Sequence, residues 1–294
     1  MTRLRIRHDT LYRYDQPVAF GQHRLLLRPR DSHAGQLIRA SLTVSPGGEM
    51  RWLYDALGNC VCLFTPKGEA TELKISSQLI IDRYPAPLTP LAIEDPHSTF
   101  PIAYDQNDRL ALAPFTNPMS GDEDHAFLSW LRDHAAYPRE SLLSYLQRLN
   151  QTIYQEFQYA ERFAEGVQTP DETLRSGVGA CRDFAWLMVE ALRRLGFAAR
   201  FVTGYLYSPQ LDSTVRGAGA THAWCEVFLP SLGWLEFDPT NGLAESSDLI
   251  RVATTLTPTE AAPVTGSLIG YPGGSSLEVS VYVDQIDGGE AVAA

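Results

Sequence analysis

The hydrophobic pattern of the chain changes its period at a proline-rich stretch, and this change restricts the fold more than any other feature. Before it, residues 1–85 contain short segments in which apolar and polar residues alternate, as in LKISSQLII at 73–81. A period of two is typical of strands that bury one face. Turn sequences such as PGG at 46–48 separate the segments. We therefore predict an N-terminal antiparallel β-sandwich over residues 1–85.

Beyond about residue 120 the apolar residues recur at helical spacing. In residues 141–158 they lie three or four positions apart, which predicts an amphipathic helix. Segments rich in β-branched and aromatic residues follow, such as FVTGYL at 201–206 and HAWCEVF at 222–228, and these predict strands. We therefore predict a second domain of the α+β class over residues 121–283.

The two predicted domains are joined by residues 86–120, where repeated prolines break any periodicity. This composition predicts a linker or an extended wrap over the surface. LEVSVYV at 277–283 predicts a last strand, which we assign to the second domain. Residues 284–294 are predicted to be a flexible tail.

Charge and composition exclude some classes of partner. The 294 residues carry a formal net charge of −11. Nucleic-acid binding relies on clustered Lys and Arg, so we expect no DNA or RNA partner. The N-terminus lacks the apolar segment of a secretory signal, and no run approaches the roughly 20 apolar residues that span a bilayer. The four cysteines, Cys60, Cys62, Cys181 and Cys225, form no CxxC pair, as in proteins with reduced thiols. We expect a cytoplasmic protein without a membrane partner.

The segment SGVGACRDFAWLMVEALRRLGF at 176–197 places a cysteine at the start of a predicted helix, directly after a glycine-rich turn. The buried stripe of this helix runs back from Leu195 through Phe184 to Cys181. Unpaired N–H groups and the helix dipole favour an anion at this end, and the thiolate is the nucleophilic form of cysteine. A free cysteine is, however, often an inert part of a core. The helix position alone leaves both roles open.

A nucleophilic cysteine needs a base, and His222 is the best candidate among the seven histidines. It opens one predicted strand, and the next predicted strand contains Asp238. Because residues two apart share a strand face, Asp238 joins the face of His222 only if even positions pair with even positions across the antiparallel pair. A connection of three or five residues around 230–233 permits this register. Given it, Cys181, His222 and Asp238 form a nucleophile, a base and a carboxylate that orients the imidazole.

Two long blocks, GACRDFAWLMVEALRRLGFAARFVTGYL at 179–206 and THAWCEVFLPSLGWLEFDPTNG at 221–242, resemble the bacterial transglutaminase-like proteins of the papain-like superfamily. FQYAERFAEGVQTPDETL at 157–174 resembles the segment before that family's cysteine. HDTLYRYDQPVAFGQHRLLLRPRD at 8–31 resembles the β module that commonly precedes the domain in bacteria. The resemblance implies a papain-like domain whose cysteine helix packs on an antiparallel sheet.

At the matching positions, the resemblance implies Cys181 as nucleophile, His222 as general base and acid, and Asp238 as orienting carboxylate. It implies acyl transfer or hydrolysis at amide bonds through a thioester. The substrate would be a protein, a peptide or an amide-containing small molecule. Water would make the protein a peptidase or amidase, and an amine would make it a transglutaminase. A non-catalytic binding module of the same fold and a small-molecule acyltransferase stay as alternatives.

The other site predictions concern the acyl pocket, the oxyanion and cofactors. Trp224 and Tyr205 are candidates to line the pocket, although aromatic residues at strand spacing are more often core. Tyr145 and Tyr159 are candidates for a second oxyanion hydrogen bond, and nothing in the sequence selects one. No acidic calcium loop is recognisable, so we predict metal independence; loss of activity after EDTA treatment would contradict this. The glycines at 177 and 179 lack the third glycine of a dinucleotide loop and no P-loop lysine occurs, and we predict no cofactor. The oligomeric state is left open.

Overall fold

The computed structural model describes residues 1–84, 100–119, 125–162, 165–207, 216, 220–230, 232–270 and 273–286. Its strands are β1 Thr2–Phe20, β2 His23–Arg28, β3 Gly35–Ser45, β4 Gly48–Tyr54, β5 Cys60–Pro66, β6 Glu69–Arg83, β7 Gln158–Tyr159, β8 Val178–Gly179, β9 Ala199–Leu206, β10 Thr221–Leu229, β11 Gly233–Asp238, β12 Leu243–Ala244, β13 Leu249–Thr255, β14 Val264–Thr265, β15 Leu268–Ile269 and β16 Ser275–Gln285. Its α-helices are α1 Gln106–Thr116, α2 His125–Asp133, α3 Leu142–Glu156, α4 Pro170–Ser176 and α5 Cys181–Arg194. Much of the predicted linker and most of the predicted tail lie outside the described residues.

Two antiparallel sheets form the N-terminal module. The first has the order β15-β1-β6-β3, with β16 also paired to β1, and the second has the order β14-β2-β5-β4. The period-two pattern has the expected result in β6, where Leu73 and Ile75 are buried and Lys74 between them is exposed. Cys62 and Phe64 of β5 are buried in the same apolar cluster. The two sheets therefore enclose one core.

The last strands of the chain complete the N-terminal sheets. β16 pairs with β1 along a register that runs from Leu4↔Gln285 to Tyr14↔Ser275. β15 also pairs with β1, and β14 pairs with β2. The strand predicted at 277–283 therefore exists, but its pairing corrects our assignment of it to the second domain. Alternation of apolar residues indicates a strand and carries no information about which sheet it joins.

A helix lies inside the stretch that we predicted as a linker or wrap. α1 begins after Asp105, whose carboxylate accepts a hydrogen bond from the Asp108 N–H at 2.8 Å, and it contains Pro114. Leu112 and Phe115 are its buried residues. Because prolines interrupt the pattern of residues 86–120, the sequence did not indicate this helix. The remaining predicted domain bounds stay predictions.

The second domain packs helices on an antiparallel sheet of order β12-β11-β10-β9-β13. Helix α5 lies against β9 and β10. One apolar cluster contains Phe184 of α5, Phe201 of β9, Val227 of β10 and Leu149 of α3. The predicted α+β class is confirmed: an N-terminal β module precedes a domain whose cysteine helix packs on an antiparallel sheet. Within the described residues, no helix combines the length and apolar character needed to cross a bilayer.

The N-terminal module packs directly on the sheet of the second domain. Ile6 of β1 is buried in one cluster with Tyr205 of β9 and Ile250 of β13. Beside it, the Asn59 side chain donates to the carbonyl of Thr254 at 2.7 Å and accepts from its N–H at 2.9 Å. The side-chain amide of Asn59 thus forms the two hydrogen bonds to the β13 backbone that a neighbouring strand would otherwise form.

Candidate active site

Helix α5 begins at Cys181, at the end of the glycine-rich turn. A Cβ at Gly179 would lie 2.8 Å from a ring carbon of Phe184, so glycine permits β8 to approach the helix this closely. The residue before the helix, Ala180, offers no side-chain cap. Cys181 is partly exposed, and its N–H has no acceptor among the described residues. The thiol therefore lies beside an unpaired donor at an accessible helix end.

Asp183 holds this helix end in place. Its Oδ2 accepts a hydrogen bond from the Ala180 N–H at 2.8 Å, and its Oδ1 accepts one from the Gln168 N–H at 2.9 Å. The Arg162 guanidinium donates to both oxygens, at 2.7 and 2.8 Å. The Asp183 side chain is fully buried. One carboxylate thus caps the start of α5 and ties it to the preceding segment.

We expect Asp183→Ala to destabilise the fold by roughly 3–5 kcal/mol, because the change leaves the Arg162 charge, the buried Ala180 N–H and the partly buried Gln168 N–H without their acceptor. Urea denaturation measures the free energy of unfolding. Glu72→Ala is the matched control, since Glu72 pairs with Arg13 on the surface, where about half of each side chain is exposed; its cost should stay within about 1 kcal/mol. Equal costs for the two variants would contradict the role of Asp183.

Strands β10 and β11 pair in the register that the predicted triad requires. Cys225 lies opposite Phe237, and Glu226 lies opposite Glu236, so even positions pair with even positions. His222 Nε2 and Asp238 Oδ2 are 2.8 Å apart. Because an ionised carboxylate only accepts hydrogen bonds, Nε2 carries the proton. The structure therefore brings the imidazole and the carboxylate together, and their catalytic roles stay predictions.

The carboxylate of Asp238 is fully buried, and hydrogen-bond donors of the protein surround it. Asn241 Nδ2 donates to Oδ2 at 2.9 Å, and the Thr240 N–H donates to Oδ1 at 2.9 Å. Burial raises the pKa of Asp238, but the charge and hydrogen bond of His222, together with these two donors, outweigh it and hold the pKa below its usual range. Asp238 therefore stays ionised beside the imidazole. Asn241 was not among the predicted site residues, although it lies in the same DPTNG segment as Asp238.

The imidazole of His222 is also fully buried. Burial lowers its pKa, but the charge and hydrogen bond of Asp238, with a contribution from Cys181, raise the pKa to about 10. Nε2 is used by Asp238, and Nδ1 has no hydrogen-bond partner among the described residues. Cys181 raises the pKa through both its charge and a hydrogen-bonding interaction with the ring, so the thiol lies close to His222 although the contact is not in ideal hydrogen-bond geometry. Such contacts often tighten only when substrate is bound.

Cys181 differs from the other three cysteines in its exposure. Cys60, Cys62 and Cys225 are buried, whereas Cys181 is partly exposed. Burial is the main cause that raises the pKa of all three buried thiols, to about 11 for Cys62. These three remain protonated at neutral pH, so only Cys181 combines access with a neighbouring imidazole.

The two aromatic pocket candidates have different surroundings. The rings of Trp224 and His222 are stacked, with centroids 6.1 Å apart and an angle of 28° between planes. Trp224 is fully buried and packs with Val202; its contact with substrate stays a prediction. Tyr205 is 1% exposed, and its hydroxyl lies 3.0 Å from His8 Nδ1 of the N-terminal module. This corrects our pocket prediction for Tyr205, because its side chain faces the module interface.

Tyr159 is the upstream tyrosine that the structure brings to the cysteine. β7 and β8 pair in parallel, with Tyr159 opposite Gly179, two residues before Cys181. Burial raises the pKa of Tyr159, and the charge of Cys181 raises it further, to about 12, so the phenol keeps its proton. Tyr145 is instead fully buried in the core, where its ring lies 4.8 Å from that of Phe100. A parallel strand pair of only two residues leaves no recognisable pattern in the sequence. The sequence therefore could not show that Tyr159, and not Tyr145, lies near Cys181.

No metal site is evident in the part of the chain that the structure describes. There, no three His, Cys, Asp or Glu side chains are grouped so that they could hold a metal ion. Metal independence stays a prediction.

Two family models match the chain. Residues 4–82 match the bacterial transglutaminase-like N-terminal region, and residues 130–239 match the transglutaminase-like superfamily. The second range includes Cys181, His222 and Asp238. The chain is a bacterial transglutaminase-like protein. The family resemblance seen in the sequence is therefore confirmed.

This transglutaminase-like protein has relatives that match it over nearly its whole length. It is 29% identical over 297 residues to an uncharacterised protein of Mycobacterium tuberculosis, covering 97% of this chain and 94% of the relative.

The chain also matches part of a longer protein. It is 33% identical over 135 residues to a protein-glutamine γ-glutamyltransferase of Pseudomonas aeruginosa. That match covers 43% of this chain and 20% of the relative.

A solved structure has the same overall fold. A crystal structure from Cytophaga hutchinsonii, provisionally described as a cysteine protease, superposes with a TM-score of 0.73 and covers 97% of this chain and 91% of that one. The sequence identity is 19%, so the likeness shows the fold alone. The fold that this transglutaminase-like protein shares with the solved structure therefore includes both the β module and the second domain.

Proposed function

We propose that this protein is a thiol-dependent enzyme that transfers or hydrolyses acyl groups at amide bonds. The observation that carries the proposal is the buried pair of His222 and Asp238, 2.8 Å apart; the other ring nitrogen has no hydrogen-bond partner among the described residues and can serve the Cys181 thiol. The match to the transglutaminase-like superfamily over residues 130–239 supports it. The substrate class is a protein, a peptide or an amide-containing small molecule.

The first half of the reaction forms a thioester. His222 Nδ1 takes the thiol proton, and the Cys181 sulfur attacks the carbonyl carbon of the amide. A carbon–sulfur bond forms, and the carbonyl electron pair moves onto oxygen. His222 then returns its proton to the amide nitrogen, the carbon–nitrogen bond breaks, and ammonia or an amine leaves. Asp238 keeps the ring oriented and stabilises its charge during both transfers.

The second half releases the acyl group. Water or an amine attacks the thioester carbon and gives a proton to His222 Nδ1. The carbon–sulfur bond breaks, and the sulfur leaves as thiolate or takes the proton back. Water yields a carboxylic acid, and an amine yields a new amide. The nature of the acceptor that reaches the thioester therefore decides between hydrolase and transferase.

Two donors near Cys181 support stabilisation of the oxyanion in both steps. The Cys181 N–H has no acceptor among the described residues, and the phenol of Tyr159 stays protonated near the same residue. A donor that meets the oxygen only as its charge develops lowers the barrier to the chemical step. We therefore assign Tyr159 as the second oxyanion donor.

We expect Tyr159→Phe to lower kcat roughly 100-fold with little change in KM, because it removes one preorganised donor and leaves the ring in place. Steady-state kinetics on any turned-over amide checks this. Tyr145→Phe is the matched control: its buried hydroxyl has no hydrogen-bond partner in the part of the chain that the structure describes, so its loss should leave kcat unchanged. Equal effects of the two variants, or an effect on KM alone, would contradict the assignment of Tyr159.

The proposed function is tested with p-nitrophenyl acetate, a generic activated acyl donor. We expect a burst of p-nitrophenolate equal to the enzyme concentration and an acetyl group on the Cys181 peptide that hydroxylamine removes. Cys181→Ala and His222→Ala should abolish both. A wild-type protein without a burst or a Cys181 adduct would contradict the proposal and favour the non-catalytic binding module.

The same experiment separates hydrolysis from transfer. With increasing n-butylamine, a transferase forms N-butylacetamide at the expense of acetate, whereas a hydrolase keeps forming acetate. Product ratios by mass spectrometry therefore identify the acceptor that reaches the thioester.

A further inference from the structure

Arg216 is held next to the carboxylate of Asp238 by backbone hydrogen bonds. Its N–H donates to Asn241 Oδ1 at 2.9 Å, and its carbonyl accepts a hydrogen bond from Asn241 Nδ2 at 3.3 Å. The same Nδ2 donates to Asp238 Oδ2 at 2.9 Å. One asparagine side chain therefore links Arg216 to the buried pair of His222 and Asp238.

The guanidinium of Arg216 is fixed through one of its three nitrogens. Nη1 donates to the carbonyls of Tyr154 and Thr240, both at 3.3 Å. The guanidinium carbon also lies 4.4 Å from the ring centre of Tyr154. A side chain that is already held in place loses less freedom when a ligand binds, so this arrangement favours binding.

The other two nitrogens of this partly exposed side chain, Nε and Nη2, have no acceptor among the described residues. Arg3 shows what this donor pair binds, because its Nε and Nη2 donate to the two carboxylate oxygens of Asp82 at 2.6 and 2.7 Å. Arg148 binds Glu140 through the same two nitrogens, each at 2.8 Å. The planar donor pair matches the two oxygens of a carboxylate. The Nε and Nη2 donors of Arg216 are therefore suited to a carboxylate from outside the described residues.

The charge of Arg216 acts on the surroundings of Cys181. Burial, with a smaller contribution from the charge of Cys181, raises the pKa of Tyr159 to about 12, and the positive charge of Arg216 opposes this rise. Both residues therefore lie near the same phenol. Together with the contact to Asn241, this puts the guanidinium beside the candidate active site.

Two other arginines near Cys181 use their donors within the protein. Arg162 donates to both oxygens of Asp183. Arg182 uses Nε for the carbonyl of Gly166 and Nη2 for that of Arg162, each at 2.9 Å. These contacts hold the segment before α5 in place. Arg216 differs from both because its Nε and Nη2 have no acceptor in the part of the chain that the structure describes.

We propose that Arg216 is a specificity-determining residue that binds a carboxylate of the substrate, so that the protein acts on amides with a carboxylate near the scissile bond. The chain has a net charge of −11, and a local positive charge lets an anionic substrate approach the thiol. Two parallel hydrogen bonds from Nε and Nη2 also fix the orientation of the substrate. That the occupant is a substrate rests on the proposed function, whereas the binding of a carboxylate beside Cys181 does not.

Alkylation of Cys181 by three iodoacetyl reagents of nearly equal size tests the proposal without turnover. N-iodoacetyl-isoglutamine has a side-chain carboxylate, N-iodoacetyl-glutamine has a terminal one, and N-iodoacetyl-glutaminamide has none. Peptide mass spectrometry gives the labelling rates. We expect one anionic reagent to label wild-type Cys181 faster than the neutral reagent, and this ratio to fall by about tenfold or more in Arg216→Gln. The faster isomer identifies a side-chain or a terminal carboxylate. An unchanged ratio in Arg216→Gln would overturn the proposal.

Matched variants separate the donor pair from charge alone. Arg216→Lys keeps the charge without the planar donor pair, so it should retain only part of the ratio. Arg13→Gln removes one charge from the surface of the N-terminal module, where Arg13 pairs with Glu72, and it should leave the ratio unchanged. A loss in Arg182→Gln as large as that in Arg216→Gln would overturn the proposal, since the anion would then depend equally on the neighbouring arginine.

The carboxylate site and the proposed function can fail separately. An Arg216-dependent ratio without a p-nitrophenolate burst would support carboxylate binding and contradict acyl transfer. A burst without an Arg216-dependent ratio would overturn the role of Arg216 and leave the proposed function in place. A Cys181 that none of the three reagents labels would contradict both.

Discussion

Cys181→Ala is expected to abolish acyl transfer, with a loss of roughly 10⁴–10⁶ in the rate of the chemical step. The sulfur is the atom that bonds to the acyl carbon, and no other accessible thiol lies beside an imidazole: Cys60, Cys62 and Cys225 are buried. The amplitude of the p-nitrophenolate burst tests this directly, because it equals the amount of nucleophile that takes the acyl group.

Cys60→Ala is the matched control for that substitution. Cys60 lies on β5 of the N-terminal module, and burial raises the pKa of its thiol. The variant should keep the full burst even if it loses some stability. A burst that survives in Cys181→Ala would show that another residue takes the acyl group, and Cys181 would no longer be the nucleophile.

Asp238→Asn is expected to lower the rate by roughly 10⁴-fold, the effect of the equivalent change in other triads. An amide in this position can present its NH₂ group to Nε2, which then must accept, so that the proton moves to Nδ1 and the ring cannot take the thiol proton. The change also removes the negative charge that raises the pKa of His222 to about 10.

Asp82→Asn is the control for Asp238→Asn. Asp82 is another buried carboxylate, bound by Arg3 at 2.6 and 2.7 Å in the N-terminal module. Its substitution should lower the free energy of unfolding and leave the rate per folded molecule unchanged. If Asp238→Asn affected only stability in the same way, its place in the mechanism would be lost.

The same pair makes a signed contribution to stability. Folding raises the pKa of His222 from 6.5 to about 10, so this group stabilises the fold fully below pH 6.5 and loses that effect as the pH rises toward 10. Folding lowers the pKa of Asp238 below 3.8, so its contribution is present above pH 3.8 and is lost at lower pH. The destabilisation by Asp238→Asn should therefore be greatest between pH 3.8 and 6.5, and urea denaturation across this range measures it.

The parts of the site that follow local rules could be predicted from the sequence. The helix stripe placed Cys181 at the start of α5. The strand period and the short connection after Leu229 placed His222 and Asp238 on one face, given one choice of register. Each of these inferences depends on residues close in the chain, where backbone geometry limits the possibilities.

The parts that depend on distant contacts could not be predicted. β16 joins β1 from the opposite end of the chain, and Tyr205 packs against His8 of the other module. Arg162 donates a hydrogen bond to Asp183, which lies 21 residues later, and no repeating pattern in the sequence links the two positions. The sequence shows only that an apolar or charged side chain needs a contact in the folded protein. Tertiary packing determines which residue makes that contact.

The most direct test of the account is the rate of iodoacetamide labelling at each cysteine, followed by peptide mass spectrometry from about pH 5 to about pH 9 in the wild type and in His222→Ala. We predict rapid labelling of Cys181 near neutral pH, slow labelling of the three buried cysteines in both proteins, and loss of the rapid phase in the variant. Slow labelling of Cys181 in the wild type, or rapid labelling that persists without His222, would contradict a thiolate–imidazolium site.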